Sequence, residues 1–124
     1  MNVVDSSAWL SYFAGDNNAG KFSRAIESAD HLLVPSITLT EVFKHIFRQC
    51  DEEAALAAIA HMQQGKVTPL DSELAISAAS YGITHRLPLA DSIIYATARK
   101  FDAVLWTQDS DFEGMEKVKY FRKA

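Results

Sequence analysis

Cysteine is almost missing from this chain: Cys50 is the only one in 124 residues. That excludes a disulfide framework and any cysteine-based zinc site, and it fits a reducing cytosol. Long apolar runs are missing too. The longest, Ala54 to Ala60, falls far short of the ~20 residues that cross a bilayer, so no membrane span is expected. The five glycines, at 15, 20, 65, 82 and 114, form neither GxGxxG nor a phosphate-binding loop. HExxH, CxxC and GxSxG are absent as well. Positive charge is in deficit, with 12 Lys and Arg against 16 Asp and Glu, a net −4. Bulk charge alone therefore does not hold a nucleic acid. The opening MNVVDSSAW has no basic region or long apolar stretch, so a signal peptide is not expected and a cytoplasmic location is. The four histidines, 31, 45, 61 and 85, are scattered and are expected at surfaces or caps.

What is present reads as one globular domain over residues 1–124, with 48% apolar and 23% charged residues. Four short β-type runs stand out: Asn2–Val4, His31–Val34, Lys66–Leu70 and Ala103–Trp106. None alternates cleanly, which suits buried parallel strands. A weaker fifth, Val118–Phe121, suits an edge because it carries a lysine. Helical spacing fills the gaps over Ser6–Ala14, Ala19–Ala29, Thr38–Cys50, Glu52–Gln64, Ser72–Tyr81 and Pro88–Phe101. Gly65 and Gly82 read as stops, and Pro88 as a first-turn proline. Strands alternating with helices predict an α/β fold with a mainly parallel sheet of four or five strands. Trp9, Tyr12, Phe13, Phe43 and Phe47 are expected in its core.

The chemistry lies in carboxylates at unusual places. Asp5 directly follows the first strand, at the end where open α/β sheets bind ligands, although it also suits a helix cap. Glu41 stands beside an apolar stripe, yet Thr38-Leu39-Thr40-Glu41 also reads as a capping box. Asp91 is the most informative. Ile94, Tyr95 and Ala98 share its helix face, while Ser92, Arg99 and Lys100 form the predicted solvent face. An aspartate in an apolar stripe needs a hydrogen bond, a cation or a metal. Asp109 lies three residues past the fourth strand and can reach the edge that holds Asp5. Asp111 is expected to serve as a turn or cap. Several carboxylates at one sheet end repel each other unless cations neutralise them, and an all-carboxylate set favours Mg²⁺ or Mn²⁺ over zinc.

Four segments in order carry a resemblance: Val-Val-Asp5-Ser6-Ser7, Ser36-x-x-x-Thr40-Glu41-Val42, Leu89-Ala90-Asp91-Ser92-Ile93-Ile94-Tyr95, and Leu105-Trp106-Thr107-x-Asp109-x-Asp111-Phe112. Over nearly the whole chain the sequence resembles a PIN domain, most closely the small VapC-type toxins of bacterial and archaeal toxin–antitoxin pairs. The resemblance implies a three-layer α/β/α fold and a metal-dependent endoribonuclease that leaves a 5′-phosphate and a 3′-hydroxyl. It implies Asp5, Glu41, Asp91 and Asp109 as catalytic acids and ligands of Mg²⁺ (Mn²⁺ as substitute), with Asp111 the alternative at the fourth station. Thr107 or Ser6 would be the supporting hydroxyl. It further implies an RNA substrate, a cognate antitoxin lying in a groove near the first helices, and a homodimer. Basic residues for RNA would include Lys117, Lys119, Arg122 and Lys123, with Lys44, Arg48, Arg86, Arg99 and Lys100 as further candidates. Two other functions compete. One is a PIN-like module that binds RNA or protein without cleaving. The other is an aspartyl-phosphate enzyme or receiver built on Asp5, which the single acid at that strand end and Ser7 in place of a second aspartate disfavour.

Overall fold

In the computed structural model, which describes residues 1–123, five strands form one all-parallel sheet in the order β3-β2-β1-β4-β5. The strands are β1 (Asn2–Val4), β2 (Leu32–Pro35), β3 (Lys66–Thr68), β4 (Val104–Thr107) and β5 (Val118–Tyr120). The helices are α1 (Ser6–Ala14), α2 (Ala19–Glu27), α3 (Ser36–Gln49), α4 (Glu52–Met62), α5 (Ser72–His85) and α6 (Leu89–Lys100). Short 3₁₀ turns cover Ala29–His31 and Ser110–Phe112. No helix is long and apolar enough to cross a membrane.

Strand geometry sends neighbouring residues to opposite faces, and both faces here are apolar. Val4, Leu32 and Val34 pack with Trp9, Phe22, Val42 and Met62 on one side. Val3, Leu33 and Leu105 pack with Ile94, Tyr95 and Phe112 on the other. The sheet is thus sandwiched between two helical layers, as the sequence predicts. β1 is central, paired with β2 on one side and β4 on the other. The chain reverses direction across the sheet there, and such a switch point opens a crevice at the strands' carboxyl ends.

Several boundaries differ from the sequence expectation, each for a local reason. β3 stops at Thr68 because Pro69 cannot donate to the ladder. α3 starts at Ser36, two residues early, so the predicted capping box does not form. Thr38 Oγ1 donates instead to the Pro35 carbonyl at 2.7 Å. α5 runs through Gly82 to His85 and ends at Arg86, which is left-handed with φ 55°. Gly82 is there for contact rather than for a stop: a Cβ on it would lie 3.3 Å from the Ser92 Cβ. Ser92 is consequently buried at 3% exposure, not on a solvent face, because α5 covers that side of α6. Trp9 is fully buried as expected, while Phe47 is 46% exposed.

Candidate functional site

The carboxyl end of β1 delivers Asp5 into the crevice. It serves as the N-cap of α1, its Oδ1 accepting the Ala8 N–H at 3.0 Å. Ser7 Oγ donates to the same carboxylate at 2.9 and 3.0 Å, and Thr107 Oγ1 donates to Oδ2 at 2.7 Å. The capping role is filled, and the same carboxylate lies at the carboxyl end of β1 bonded to Thr107. Asp5 is 2% exposed. Burial lifts its pKa from 3.8 to about 6, although the hydroxyl and amide donors pull the other way.

Asp91 enters from the first turn of α6. Burial is again the main cause of a raised pKa, here to about 8, with the negative charge of Asp109 next and Asp5 and Asp111 adding to it. Asp109 lies in the turn after β4. Its backbone N–H donates to Thr107 Oγ1 at 2.9 Å, and its own Oδ1 caps the next turn by accepting from the Asp111 N–H at 2.9 Å. Thr107 Oγ1 is thus a single hydroxyl joining Asp5 to the Asp109 turn.

One carboxylate oxygen each from Asp91, Asp109 and Asp111 lies within 4.8 Å of the others. The sequence reads Asp111 as a turn residue and, by resemblance, as the alternative at the fourth station; its carboxylate lies in the same set as that of Asp109. Glu41 stands outside that set. Its Oε1 accepts from Ser6 Oγ at 2.6 Å, which ties α3 to the residue after Asp5. Ser6 and Thr107 are accordingly bonded to different acids. Sequence reasoning missed Ser7 and the pair behind it: Gln108, whose Nε2 donates to the Ser7 carbonyl at 3.4 Å, and Asn18, whose Nδ2 donates to Gln108 Oε1 at 3.0 Å. Ser7 carries a weak signal two residues from Asp5. Gln108 carries one between Thr107 and Asp109. Asn18 carries none.

No lysine or arginine pairs with Asp5, Asp91, Asp109 or Asp111 among the described residues, whose three salt bridges lie elsewhere. Clustered carboxylates without basic partners, offering only oxygen donors, fit a hard divalent cation such as Mg²⁺ or Mn²⁺.

The sequence profile of the PIN domain matches residues 3–118, and the chain belongs to that family. Its fold is shared by solved toxin structures. A chain of a toxin–antitoxin complex from Klebsiella pneumoniae superposes with a TM-score of 0.81 at 21% identity, over 99% of this chain and 100% of that one. The Mycobacterium tuberculosis toxin VapC20, described as cleaving the sarcin–ricin loop, gives 0.78 at 24% identity over 95% and 98%. The DNA-bound VapBC of Salmonella typhimurium gives 0.75 at 15% identity over 98% and 97%. Among curated protein sequences none matches.

Proposed function

We propose that this chain is a divalent-metal-dependent endoribonuclease, the toxin of a toxin–antitoxin pair. The observation that carries the proposal is the convergence of Asp91, Asp109 and Asp111 within 4.8 Å, beside buried Asp5 and with no basic partner. Asp5, Asp91 and Asp109 would hold the ion, with Asp111 and Glu41 as further carboxylates. When bound, Mg²⁺ lowers the pKa of coordinated water and neutralises charge on a phosphodiester. The protein's own part is positional. Three donors fix the Asp5 carboxylate, and Ser6 holds one oxygen of Glu41. Burial and the neighbouring carboxylates raise the Asp91 pKa to about 8, so a bound cation would compete with its proton. The aspartyl-phosphate alternative wants a second acid two residues after Asp5, where Ser7 stands and donates to the Asp5 carboxylate.

The proposal has two protein partners. An apolar groove of about 500 Å³ runs between α1, α3 and α4, lined by Leu10, Phe13, Ile46, Ala54, Ala58 and His61 among others. It suits the apolar side chains of an antitoxin segment, and the Klebsiella structure, a toxin–antitoxin complex, supports that occupant. For the homodimer, Ile76, Ile83 and Leu89 are 74%, 83% and 79% exposed on α5 and the start of α6. Ile76 and Ile83, seven residues apart, share one face of α5, which suits pairing with a second copy.

The test is RNA cleavage by chelator-treated protein. Mg²⁺ or Mn²⁺ should restore cutting and Ca²⁺ should restore far less, since it prefers larger, looser coordination. Cleavage that persists in excess chelator refutes the metal mechanism.

A further inference from the structure

The outer face of α3 carries aromatic rings that the core does not take up. Phe47, expected inside, is 46% exposed, and Phe43 is only half-buried. The two rings stand one helical turn apart, with centroids 5.8 Å from each other and planes tilted by 49°. Lys44 and Arg48 are exposed and repeat the same spacing. All four side chains line one open hollow of about 460 Å³. A neighbouring hollow of about 420 Å³ shares Phe43 and Lys44 and reaches back to Thr40, the residue before Glu41. Glu41 in turn precedes Lys44 by three residues and Arg48 by seven, so it lies on the same side of the helix. Its Oε1 accepts from Ser6 Oγ, next to Asp5. The face therefore leads from the acids outward.

We propose that this face of α3 binds the single-stranded RNA whose backbone enters the acidic site. The inference rests on the nuclease proposal for its substrate. Bases stack on Phe47 and Phe43, and phosphates meet Lys44 and Arg48, which stand about 6 Å apart along the helix axis. Rings interleaved with cations hold an unpaired strand without reading its sequence. Charge decides the occupant. Among the described residues, the salt bridges use Arg99, Lys100 and Lys117, and Lys21 and Lys119 lie over the Phe121 and Trp106 rings. Lys44 and Arg48 have neither kind of partner there. An apolar peptide laid on this face would bury two unpaired cations, which is costly. A phosphate backbone neutralises them. The apolar groove, by contrast, takes His45, Ile46 and Gln49 from another side of the same helix. A net charge of −4 is no obstacle, because phosphates respond to where charge is placed.

The experiment measures binding of short fluorescent oligoribonucleotides to full-length Asp91→Asn protein, which prevents cutting. Phe47→Leu keeps apolar bulk but loses the ring, and it should weaken binding about fivefold or more, while Phe47→Tyr should hold it. The loss should be similar for strands of different sequence, because every base has a face to stack. Lys44→Ala and Arg48→Ala should each lower the slope of log affinity against log salt by about 0.7. Unchanged affinity in Phe47→Leu overturns the inference, as do unchanged salt slopes in both cation variants. A Phe47→Leu protein that changes its oligomeric state in sedimentation yet binds RNA as before overturns it too, and makes the face a contact between copies. Cleavage is read in parallel with Asp91 intact. RNA held through these residues but never cut overturns the nuclease proposal and leaves the surface. Cutting that Phe47→Leu, Lys44→Ala and Arg48→Ala all retain at subsaturating RNA does the reverse.

Discussion

The two ends of the sheet treat their acids in opposite ways. Just before the amino ends of β4 and β5, Asp102 meets Lys117 at 2.8 Å and Glu116 meets Arg99 at 3.4 Å. The lysine holds the Asp102 carboxyl below its usual range. At the carboxyl end, Asp5 and Asp91 have no such partner and are both raised. Helix α6 joins the two regimes, with Asp91 in its first turn and Arg99 and Lys100 in its last. The same residue type is therefore neutralised from within at one end and left for an external cation at the other. Exposed pairs like those at the amino end contribute little. The uncompensated end is where binding energy is available.

The sharpest way to break this contrast is Asp91→Asn. Cleavage should fall on the order of a hundredfold or more, because a ligand is lost. The metal-free melting temperature should hold or rise, since mutual repulsion is relieved. A large stability loss with normal cleavage would make Asp91 structural. Next comes pH. Asp5 and Asp91 bind protons more tightly when folded than at the ordinary 3.8 of the free side chain. On their account the metal-free protein is most stable at about pH 4 and loses stability as pH climbs through about 6 and about 8. Mg²⁺ should raise the melting temperature more at pH 8 than at pH 5, because the ion competes with those protons. Thermal melts with and without Mg²⁺ that ran parallel across this range would contradict it.

Asp109→Asn and Asp111→Asn should separate the two turn acids. Asp109 both lies in the acid set and caps the following turn, so its loss should weaken metal-dependent cleavage further. The cap alone is worth only about 1 kcal/mol of stability. Metal titrations of cleavage for both variants decide it, and an inactive Asp111→Asn with an active Asp109→Asn would exchange the assignments. Thr107→Val should have a smaller effect, about tenfold in cleavage. It removes one charge-assisted bond to Asp5 and should move the pH profile to the alkaline side, as Asp5 loses a donor that favours its charged form. The smallest effect belongs to Asp102→Asn at the paired end: cleavage unchanged and the melting temperature hardly moved.

Much of this was legible in the chain, and the misses share a cause. The strands were readable because short β-branched and apolar runs between helical spacings leave few alternatives. Asp91 was readable because an acid in an apolar stripe needs a reason. The burial of Ser92 was not, because it depends on α5 packing across a face that looks polar in one dimension. Glu41 matched a capping box by spacing, but the helix already begins at Ser36. Asn18 gave no signal because its partners Gln108 and Arg122 are 90 and 104 residues away. Local pattern reports faces and caps. It does not report which distant loops meet.

The central position of β1 has a consequence for how the protein is made. Asp5 is translated well before the hydroxyl that fixes it, on Thr107, which follows 102 residues later. Until β4 is translated, β1 has a neighbour on one side only, and Asp109 and Asp111 do not yet exist. At the ~5–20 residues per second of synthesis, the acidic set assembles several seconds after its first member appears. A chain stalled between Asp91 and Val104 carries Asp5, Glu41 and Asp91 but lacks Asp109 and Asp111, so the acidic set stays open.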